Sequence, residues 1–455
     1  MEHLEQKERE QLWEKIQDAL FNEHIDEFRA EFLEIHPYDQ AKIFEEQTED
    51  IRFLIYTYLS PEEVADVMEH VDEELTEQFI IEMNPTFAAQ VLAEMATDDA
   101  VDILNELDIN KVASFLTMME QEAAEEIKTL LHYEEKTAGS IMTTEFVVIH
   151  TEQTVKQAMR HLRKEAPEAE TIYYIYVVDK DKRLVGVISL RDLIIAEGDW
   201  LISDVMSDRV VSVPVGENQE DIAQMMRDYD FLALPVVDFQ DHLLGIITVD
   251  DIMDVMDQEA NDDYSKLAGV SDMERSGDNA LISAKKRLPW LIILLFLGLF
   301  TASIIGRFEA TLDKVAILAI FIPLIAGMAG NTGTQALAVA VRGIATGEIE
   351  KQGKWKIIMR EAMTGLITGI TCGIVITIVV YVWQGSLYLG ILVGISIMAT
   401  LIVATIAGAL VPLVMDRFNI DPAVASGPFI TTINDIISVM IYFGLATAFM
   451  NLLLQ

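Results

Sequence analysis

The stretch that decides the fold lies near the C-terminus, where residues 428–454 read PFITTINDIISVMIYFGLATAFMNLLL. It is long enough to cross a hydrocarbon core of roughly 30 Å, which needs about 20 helical residues. Asp435 is its only charged residue. A carboxylate inside a membrane span is costly unless it faces water, an ion or a partner. The stretch therefore predicts a membrane helix whose carboxylate faces a pore.

Four further apolar runs precede this one. They lie at about 288–305, 315–341, 357–383 and 387–414. Loops that stay in the cytoplasm retain Lys and Arg. Such residues precede the first run and fill the second-to-third and fourth-to-fifth loops, namely Lys285, Lys286, Arg287, Arg342, Lys351, Lys354, Lys356, Arg360 and Arg417. The sequence therefore predicts five spans in the cell membrane, with the N-terminus inside and the C-terminus outside. Only Arg307 and Lys314, in the first outer loop, depart from the expected distribution of Lys and Arg.

The second apolar run is interrupted by Pro323 and by three glycines, the last of them Gly333. We expect a broken helix there, whose freed carbonyl and amide groups near Asn331 could coordinate a hydrated ion. Close helix packing is the alternative reading of the same small residues. Together with Asp435, this segment outlines a polar lane through apolar helices.

The charge is distributed unevenly along the chain. Of the 32 Lys and Arg and the 74 Asp and Glu, positions 281–455 hold 11 and 8, which leaves 21 and 66 for positions 1–280. So strong a negative field repels nucleic acid and concentrates cations, although an acidic surface can also serve solubility alone. Carboxylate and carbonyl ligands suit Mg²⁺, Ca²⁺ or Mn²⁺, and none of the eight His residues lies in an apolar run. The single cysteine, Cys372, excludes an internal disulfide.

From Glu2 to about Leu131 the sequence has the pattern of short amphipathic helices. We expect helix starts at Ser60-Pro61, Asn84-Pro85 and Thr97-Asp98, which combine capping residues with Pro or acid in the first turn. The sequence from Met1 to Ala30 contains no apolar signal-peptide core. Helices this short must stack on one another, which predicts an α-helical superhelical domain.

A duplicated segment follows the helical region. Residues 175–194 read IYVVDKDKRLVGVISLRDLI, and residues 234–253 read LPVVDFQDHLLGIITVDDIM. The two copies align from end to end, and each predicts a strand, a polar turn, a second strand and a helix that begins at an acidic residue. This duplication resembles a tandem pair of cystathionine-β-synthase (CBS) motifs, an α/β module that often binds adenine nucleotides.

Acidic residues concentrate between the duplicated segment and the first span. Within 250–263, Asp251 and Asp254, and further on Glu259 and Asp263, recur at helical spacings of three and four. Like charges at such spacing destabilise a helix unless a cation lies between them. A solvated helix face is the alternative. Asp421 lies in the fourth-to-fifth loop, on the same predicted side of the membrane.

Three segments carry a family resemblance, namely GNTGTQ at 330–335, Asp421-Pro-Ala, and the stretch from Pro428 to Asp435. The order of the helical region, the duplicated segment and the apolar runs adds to it. The whole chain resembles the MgtE-type magnesium transporters and channels. The resemblance implies a homodimer in the membrane lipid, with a pore between the subunits that the second and fifth spans line. It also implies Mg²⁺ as both transported and regulatory ion, with ATP as a candidate regulatory ligand and no nucleic-acid partner.

The resemblance also implies a multidomain architecture and a set of site residues. The domains are a helical N-terminal domain (1–133), two CBS motifs (134–200 and 201–258), a long connecting helix (259–284) and a five-span α-helical transmembrane pore domain (285–455). The implied Mg²⁺ ligands are Asp435 in the pore, Asp421 at its mouth, and Asp66, Asp98, Asp102, Glu220, Asp230, Asp251, Asp254, Glu259, Asp262 and Asp263 in the cytoplasm. The implied pore-lining residues are Asn331, Gly333 and Thr431, and the implied nucleotide contacts are Arg191, Asp192 and Phe231. Asn218, Thr334 and Gly427 depart from the residues usual in the family.

Two other classes of function are compatible with parts of the sequence. An ATP-driven pump would need a phosphate-binding loop or a phosphorylation motif, and the chain has neither. A nucleotide-sensing scaffold would need one span and no intramembrane carboxylate. We therefore expect a gradient-driven magnesium channel or transporter that intracellular Mg²⁺ closes, with no catalytic residues.

Overall fold

The computed structural model describes residues 6–270, 279–347, 349, 353–418 and 420–453. It separates into two units, Met1–Met256 and Asp257–Gln455. The first unit holds stacked helices followed by two small sheets. The second holds long apolar helices.

Short helices build the N-terminal part of the first unit. They are α1 Gln6–Phe21, α2 Ile25–Phe32, α3 Pro37–Glu45, α4 Glu49–Tyr58, α5 Pro61–Met68, α6 Glu73–Glu82, α7 Pro85–Glu94, α8 Thr97–Asn105, α9 Ile109–Met118 and α10 Gln121–Leu130. Odd-numbered helices pack on the next odd-numbered helix from α1 to α9, and α8 packs on α10. This packing of each helix on the next but one is the predicted superhelix.

The predicted helix starts are correct at two positions and displaced at the third. The Ser60 hydroxyl and the Glu63 carboxylate form a reciprocal capping box at α5. The Asn84 side chain caps α7 by accepting a hydrogen bond from the Thr86 N–H at 3.0 Å. Thr97, however, is the first helical residue of α8, with Ala96 before it as the N-cap. The Thr97 hydroxyl instead lies 3.2 Å from that of Thr144.

Each copy of the duplicated segment forms two strands and a following helix, as predicted, and a strand that precedes each copy completes a three-stranded sheet. The first contains β1 Phe146–His150, β2 Thr171–Val178 and β3 Leu184–Ser189; the second contains β4 Val213–Pro214, β5 Ala233–Val237 and β6 Leu243–Thr248. The helices between them are α11 Val155–Glu165, α12 Leu190–Ile195, α13 Ile202–Val205 and α14 Gln219–Tyr229. In each sheet the middle strand pairs parallel with the first and antiparallel with the third. The strand β6 begins and ends at the positions of the second copy that correspond to those of β3 in the first.

The acidic segment after the second sheet is helical, but its bounds differ from those predicted. One continuous helix, α15, runs over Val249–Ala268. The predicted connecting helix over 259–284 is therefore not a separate element: its first part is the C-terminal half of α15, and residues 280–284 begin the next helix. Residues 271–278 of that prediction lie outside the described residues, as does Lys351.

Five helices of the second unit are long and apolar enough to span a membrane, as the sequence predicts. The helices of this unit are α16 Ala280–Gly306, α17 Glu309–Lys314, α18 Ile322–Ala345, α19 Lys354–Gln384, α20 Leu387–Arg417, α21 Gly427–Ala448 and α22 Met450–Leu453. A 3₁₀ segment, Ala316–Phe321, leads into α18. The fifth span ends at Ala448 rather than at Leu454.

The predicted break in the second span is wrong. Pro323 lies in the first turn of α18, where its missing N–H costs no hydrogen bond, and the helix then continues to Ala345. The backbone around Asn331 is therefore helical. Gly330 and Gly333 instead agree with the alternative, close packing against a neighbouring helix, whereas a Cβ at Gly327 would meet nothing within 4 Å.

Glycines also set the contact between α19 and α20. A Cβ built at Gly373 would lie 2.7 Å from the carbonyl oxygen of Gly394, and one at Gly369 would lie 2.9 Å from that of Met398. Backbone atoms cannot move aside as a flexible side chain can. Contact between two helices at this distance therefore requires glycine at these positions.

We expect Gly373→Ala to lower the free energy of unfolding of the second unit by about 1–3 kcal/mol, because the added methyl pushes α19 away from α20. The measurement is the midpoint of thermal unfolding of the purified protein in detergent. Gly298→Ala in α16 is the matched control, since a Cβ there meets nothing within 4 Å. Equal midpoints for the two variants would contradict the assignment of this contact.

Candidate cation sites

Asp435 lies in the third turn of α21 and is half-buried. The Ser426 hydroxyl caps this helix by accepting a hydrogen bond from the Phe429 N–H at 3.4 Å. In the described chain, no side chain or backbone group pairs with the Asp435 carboxylate. Its charge therefore remains uncompensated in an apolar helix, as the sequence predicts for a carboxylate that meets an ion.

The helix that carries Asp435 packs closely on α18. A Cβ built at Gly330 would lie 2.6 Å from the methyl of Thr431, and the hydroxyls of Thr334 and Thr431 are 3.3 Å apart. A Cβ at Gly333 would collide with the Asn434 amide nitrogen. Of the predicted pore-lining residues, Gly333 is thus buried by packing, Thr431 is at the helix contact and Asn331 is exposed.

Asn434 is a polar residue of this contact that no sequence pattern marked. It is 1% exposed, and neither atom of its amide has a hydrogen-bond partner in the described chain. It fills the space that Gly333 leaves by lacking a side chain. A buried amide without partners costs free energy, so this contact between α18 and α21 is less stable than an apolar one of the same shape.

The C-terminal end of α15 lies against the start of α21. Leu267 joins an apolar cluster with Leu337 of α18 and Ile430 of α21. A Cβ built at Gly427 would lie 3.3 Å from the Leu267 carbonyl oxygen. Gly427 therefore permits the close approach of α15 to the helix that carries Asp435.

The predicted pore-mouth carboxylates meet at the same place, around a lysine that was not among the predicted site residues. The Lys266 ammonium lies 2.8 Å from Asp421 and 3.7 Å from Asp262. Burial, and then the negative charge of Asp421, raise the pKa of Asp263 to about 6. The positive charge at this site is therefore supplied by a side chain of the protein, the Lys266 ammonium. Glu259 lies on the same helix and adds to the negative potential at Asp263.

A second group of carboxylates surrounds the N-terminus of α8 in the first unit. Asp98 is 7% exposed, and its Oδ1 has no hydrogen-bond partner among the described residues. Burial, followed by the charges of Asp251 and Asp99, raises the pKa of Asp98 well above its usual range. Asp251 caps the start of α15, where its Oδ2 accepts a hydrogen bond from the Thr248 hydroxyl at 2.5 Å.

Four further carboxylates of this group were not predicted. They are Glu69, Asp99, Glu145 and Glu170. Burial and neighbouring negative charges raise the pKa of Asp99 to about 8 and those of Glu145 and Glu170 to about 7. We call these four, with Asp98 and Asp251, the acidic basin. An orphaned buried carboxylate oxygen among so many acids fits a hydrated divalent cation.

The remaining predicted ligands lie at the rim of the acidic basin or away from it: Asp66, Asp102 and Asp254 add negative potential at Glu69, Asp99 and Asp251, respectively. Asp66, Asp102, Glu220, Asp230 and Asp254 are all exposed. Asp230 adopts a left-handed conformation at the end of α14. Within the described residues, no three His, Cys, Asp or Glu side chains converge closely enough to bind a bare ion.

The predicted nucleotide contacts lie in the two CBS motifs. Arg191 is exposed in the first turn of α12, where the Ser189 hydroxyl donates to Asp192 at 2.6 Å. Phe231 follows α14 and stacks on Tyr229, with ring centroids 5.4 Å apart. An adenine base can stack on an aromatic ring, and an exposed cationic side chain can bind the phosphates of a nucleotide.

Comparison with known proteins agrees with this architecture. The family model described as divalent cation transporter matches residues 322–445, that of the MgtE intracellular N domain matches 35–136, and that of the CBS domain matches 138–199 and 202–258. The magnesium transporter MgtE of Enterococcus faecalis is 52% identical over 98% of this chain and 99% of its own. The chain belongs to the MgtE family.

Two further MgtE proteins are also similar to this chain over almost their whole length. The magnesium transporter MgtE of Bacillus subtilis is 41% identical over 94% of this chain and 95% of its own, and that of Thermus thermophilus is 35% identical over 96% and 98%. The solved soluble part of a magnesium transporter is 52% identical, with a TM-score of 0.54, and covers 56% of this chain and 100% of that one. The cytosolic domain of the Mg²⁺ channel MgtE in complex with ATP is 37% identical, with a TM-score of 0.50, and covers 53% and 98%. This family member is a multi-pass membrane protein.

The raised pKa values predict how the metal-free protein responds to pH. Asp99, Glu145 and Glu170 hold protons in the folded chain that they release on unfolding, because unfolded carboxyls titrate near pH 4. The contribution of these three carboxyls to stability is therefore fully present below about pH 4 and is lost as pH rises through their folded pKa values of about 7 to about 8. The midpoint of thermal unfolding of the first unit, Met1–Met256, in chelator measures this effect.

We expect Mg²⁺ to reduce or reverse that fall, because it replaces the protons as counter-charge. K⁺ at equal ionic strength is the control for screening alone. An unfolding midpoint that rises with pH across this window in chelator would contradict the burial of these carboxyls.

Proposed function

We propose that this chain conducts Mg²⁺ across the cell membrane down its electrochemical gradient. The observation that carries the proposal is the uncompensated carboxylate of Asp435 on α21, at the contact with α18, in a member of a divalent cation transporter family. The relatives named as magnesium transporters are similar to this chain over almost their whole length. Mg²⁺ keeps its water shell, so one carboxylate can hold it through water.

The permeation path that we propose lies between two copies of the chain. One intramembrane acid per subunit would give a symmetric pair of carboxylates in a homodimer. Asn331 is exposed on α18 and can face such a path, as can Thr431 and Asp435, which are half-buried. The N-terminus lies in the cytoplasm and the C-terminus outside, with lipid around the remaining apolar helices. The pore domain is assigned to residues 285–455.

Intracellular Mg²⁺ closes this path in our proposal. Positions 1–280 carry 66 acidic and 21 basic side chains, so their mutual repulsion opposes a closely packed cytoplasmic region. Mg²⁺ bound among the cytoplasmic carboxylates would neutralise this repulsion. A single helix, α15, carries Asp251 near its start and Lys266 near its end. Lys266 and Leu267 contact the segments before and within the pore helices, so α15 is the element proposed to hold the pore shut.

ATP is the second regulatory ligand that we propose, without hydrolysis and without a catalytic role. A solved relative binds ATP in its cytosolic domain. Phe231, stacked on Tyr229, is proposed to contact the base, and Arg191 to contact the phosphates. Isothermal titration of the purified chain with ATP, for wild type and Phe231→Ala, tests this assignment.

We expect Asp435→Asn to reduce Mg²⁺ influx into proteoliposomes by about tenfold or more, because the amide loses the charge that attracts the cation. The assay contains no ATP, so flux in wild type also excludes an ATP-driven pump. Asp313→Asn is the matched control, since this acid is exposed outside the long helices. Normal flux in Asp435→Asn would refute the pore assignment.

We expect influx through wild type to fall as Mg²⁺ inside the liposomes rises, and the Asp98→Asn/Asp251→Asn variant to need about tenfold more internal Mg²⁺ for the same fall. The reason is that the variant loses the two most buried regulatory carboxylates. Glu197→Gln, exposed in the first CBS motif, is the control. Identical inhibition curves would remove Asp98 and Asp251 from the sensing site.

A further inference from the structure

Asn434 is a buried polar side chain to which the proposed permeation path gives no role. It is 1% exposed, and neither the oxygen nor the nitrogen of its amide has a hydrogen-bond partner in the described chain. It directly precedes Asp435 on α21. A polar group that loses water without gaining a partner costs free energy, and the core of a bilayer offers it no water. Proteins retain such a cost at positions where another conformation removes it.

Thr400 on α20 shows why the amide differs from other buried polar groups of the second unit. Its hydroxyl is also buried and has no partner among the described residues. A threonine hydroxyl in a helix can turn to the carbonyl four residues earlier, as the Thr405 hydroxyl does by donating to Leu401 at 3.0 Å. One rotation therefore satisfies a threonine. The Asn434 amide leaves both a donor and an acceptor unpaired, so it needs a change in its surroundings.

Gly333, against which Asn434 packs, lies where three helices meet. A Cβ built at Gly333 would collide with the Asn434 amide nitrogen and would lie 3.1 Å from Ile430, both on α21. A Cβ built at Gly408 of α20 would collide with the Gly333 carbonyl oxygen. Because α18 is already in close contact with α20, it cannot withdraw from α21 in that direction. Separation of α18 and α21 at Asn434 therefore requires α21 to move.

The start of α21 is in contact with the end of α15. A Cβ built at Gly427 would lie 3.3 Å from the Leu267 carbonyl oxygen, and one built at Gly269, just after α15, would lie 3.3 Å from the Pro428 ring. These contacts lie about two helical turns before Asn434. A shift of α15 would therefore free the part of α21 that must move to release the amide.

We propose that Asn434 is a positioning residue for opening: its unpaired amide opposes the packed contact of α18 with α21, and water of the permeation path hydrates the amide when the two helices separate. The residue thereby shifts the equilibrium toward the conducting conformation without being a ligand of Mg²⁺. This inference rests on the proposed Mg²⁺ conduction and on α15 as the element that holds the pore shut.

The first test is Asn434→Leu, which keeps the branch point and the number of side-chain atoms but removes the donor and the acceptor. We expect Mg²⁺ influx into proteoliposomes without internal Mg²⁺ to fall by about tenfold, because the packed contact loses its penalty. Half-inhibition then needs less internal Mg²⁺, and the thermal midpoint of the same protein in detergent rises. A residue that served packing alone would give lower flux together with a lower midpoint.

Thr400→Val is the matched control for this variant. It removes an unpaired hydroxyl from an equally buried position of α20. We expect flux and inhibition as in wild type. An equal loss of flux in Thr400→Val would show that any apolar replacement in the helix bundle has this effect, and would overturn the role of Asn434.

The second test measures access of water to position 434. Cys372 is the single cysteine of the chain, so Cys372→Ala supplies a background without thiols. In that background, we expect a charged, water-soluble thiol reagent to modify the side chain introduced by Asn434→Cys about tenfold or more faster in chelator than in saturating internal Mg²⁺. Thr400→Cys in the same background is the control and stays protected in both conditions.

Failure of this inference is distinguishable from failure of the proposed function. If wild type conducts Mg²⁺ and Asn434→Leu has the same flux and inhibition, or if the thiol at position 434 is protected equally in both conditions, the role of Asn434 is refuted while conduction stands. If wild type does not conduct Mg²⁺, or internal Mg²⁺ does not inhibit it, the proposed function fails and this inference fails with it. Should Asn434→Leu not fold, the modification rates of Asn434→Cys decide alone.

Discussion

The burial of carboxylates without matching cations is the constraint on which the packing around α8 in the first unit depends. Asp98 is almost inaccessible to solvent, and its neighbours in the acidic basin are acids. Two ways exist to relieve such a surface at neutral pH: bind protons or bind a cation. Burial and neighbouring acids raise the pKa of Asp99 to about 8 and those of Glu145 and Glu170 to about 7. In the proposed regulation, a divalent cation would supply the remaining counter-charge beside α8.

The second unit solves a similar problem differently. At the end of α15, the Lys266 ammonium lies among Asp262, Asp263 and Asp421 and supplies an internal counter-charge. That site can therefore pack without a bound ion, although three acids share one lysine. Asp435 has neither a lysine nor a hydrogen-bond donor in the described chain, and its helix contacts α18 through glycine and threonine. The acidic basin, the end of α15 and Asp435 thus differ in how much of their negative charge is compensated by groups of the protein itself.

Periodic features of the fold could be predicted, whereas the sites depend on register and packing. The five apolar runs and the internal repeat are regular patterns, and both appear in the structure at nearly the predicted positions. The break in the second span was wrong because Pro323 disrupts a helix from within but favours its first turn. Glu145 and Glu170 meet only because β1 and β2 pair with Phe146 opposite Thr171. Lys266 was overlooked because a lone lysine in an acidic helix looks like a solvated residue.

In the proposed regulation, the free-energy cost of burying these acids is what would allow the acidic basin to act as a sensor. If its carboxylates were paired with lysines, the packed arrangement would be stable at every Mg²⁺ concentration, and the ion could not alter it. If they were fully exposed, water would screen them and the ion would gain little by binding. Partial burial places the metal-free packed state at a disadvantage that a bound cation removes, so the free energy of packing depends on Mg²⁺ concentration through ligand linkage. Each additional buried carboxylate raises both the cost of the metal-free state and the gain from the ion. Under the proposed regulation, the number of acids in the basin would therefore set the Mg²⁺ concentration at which the first unit responds.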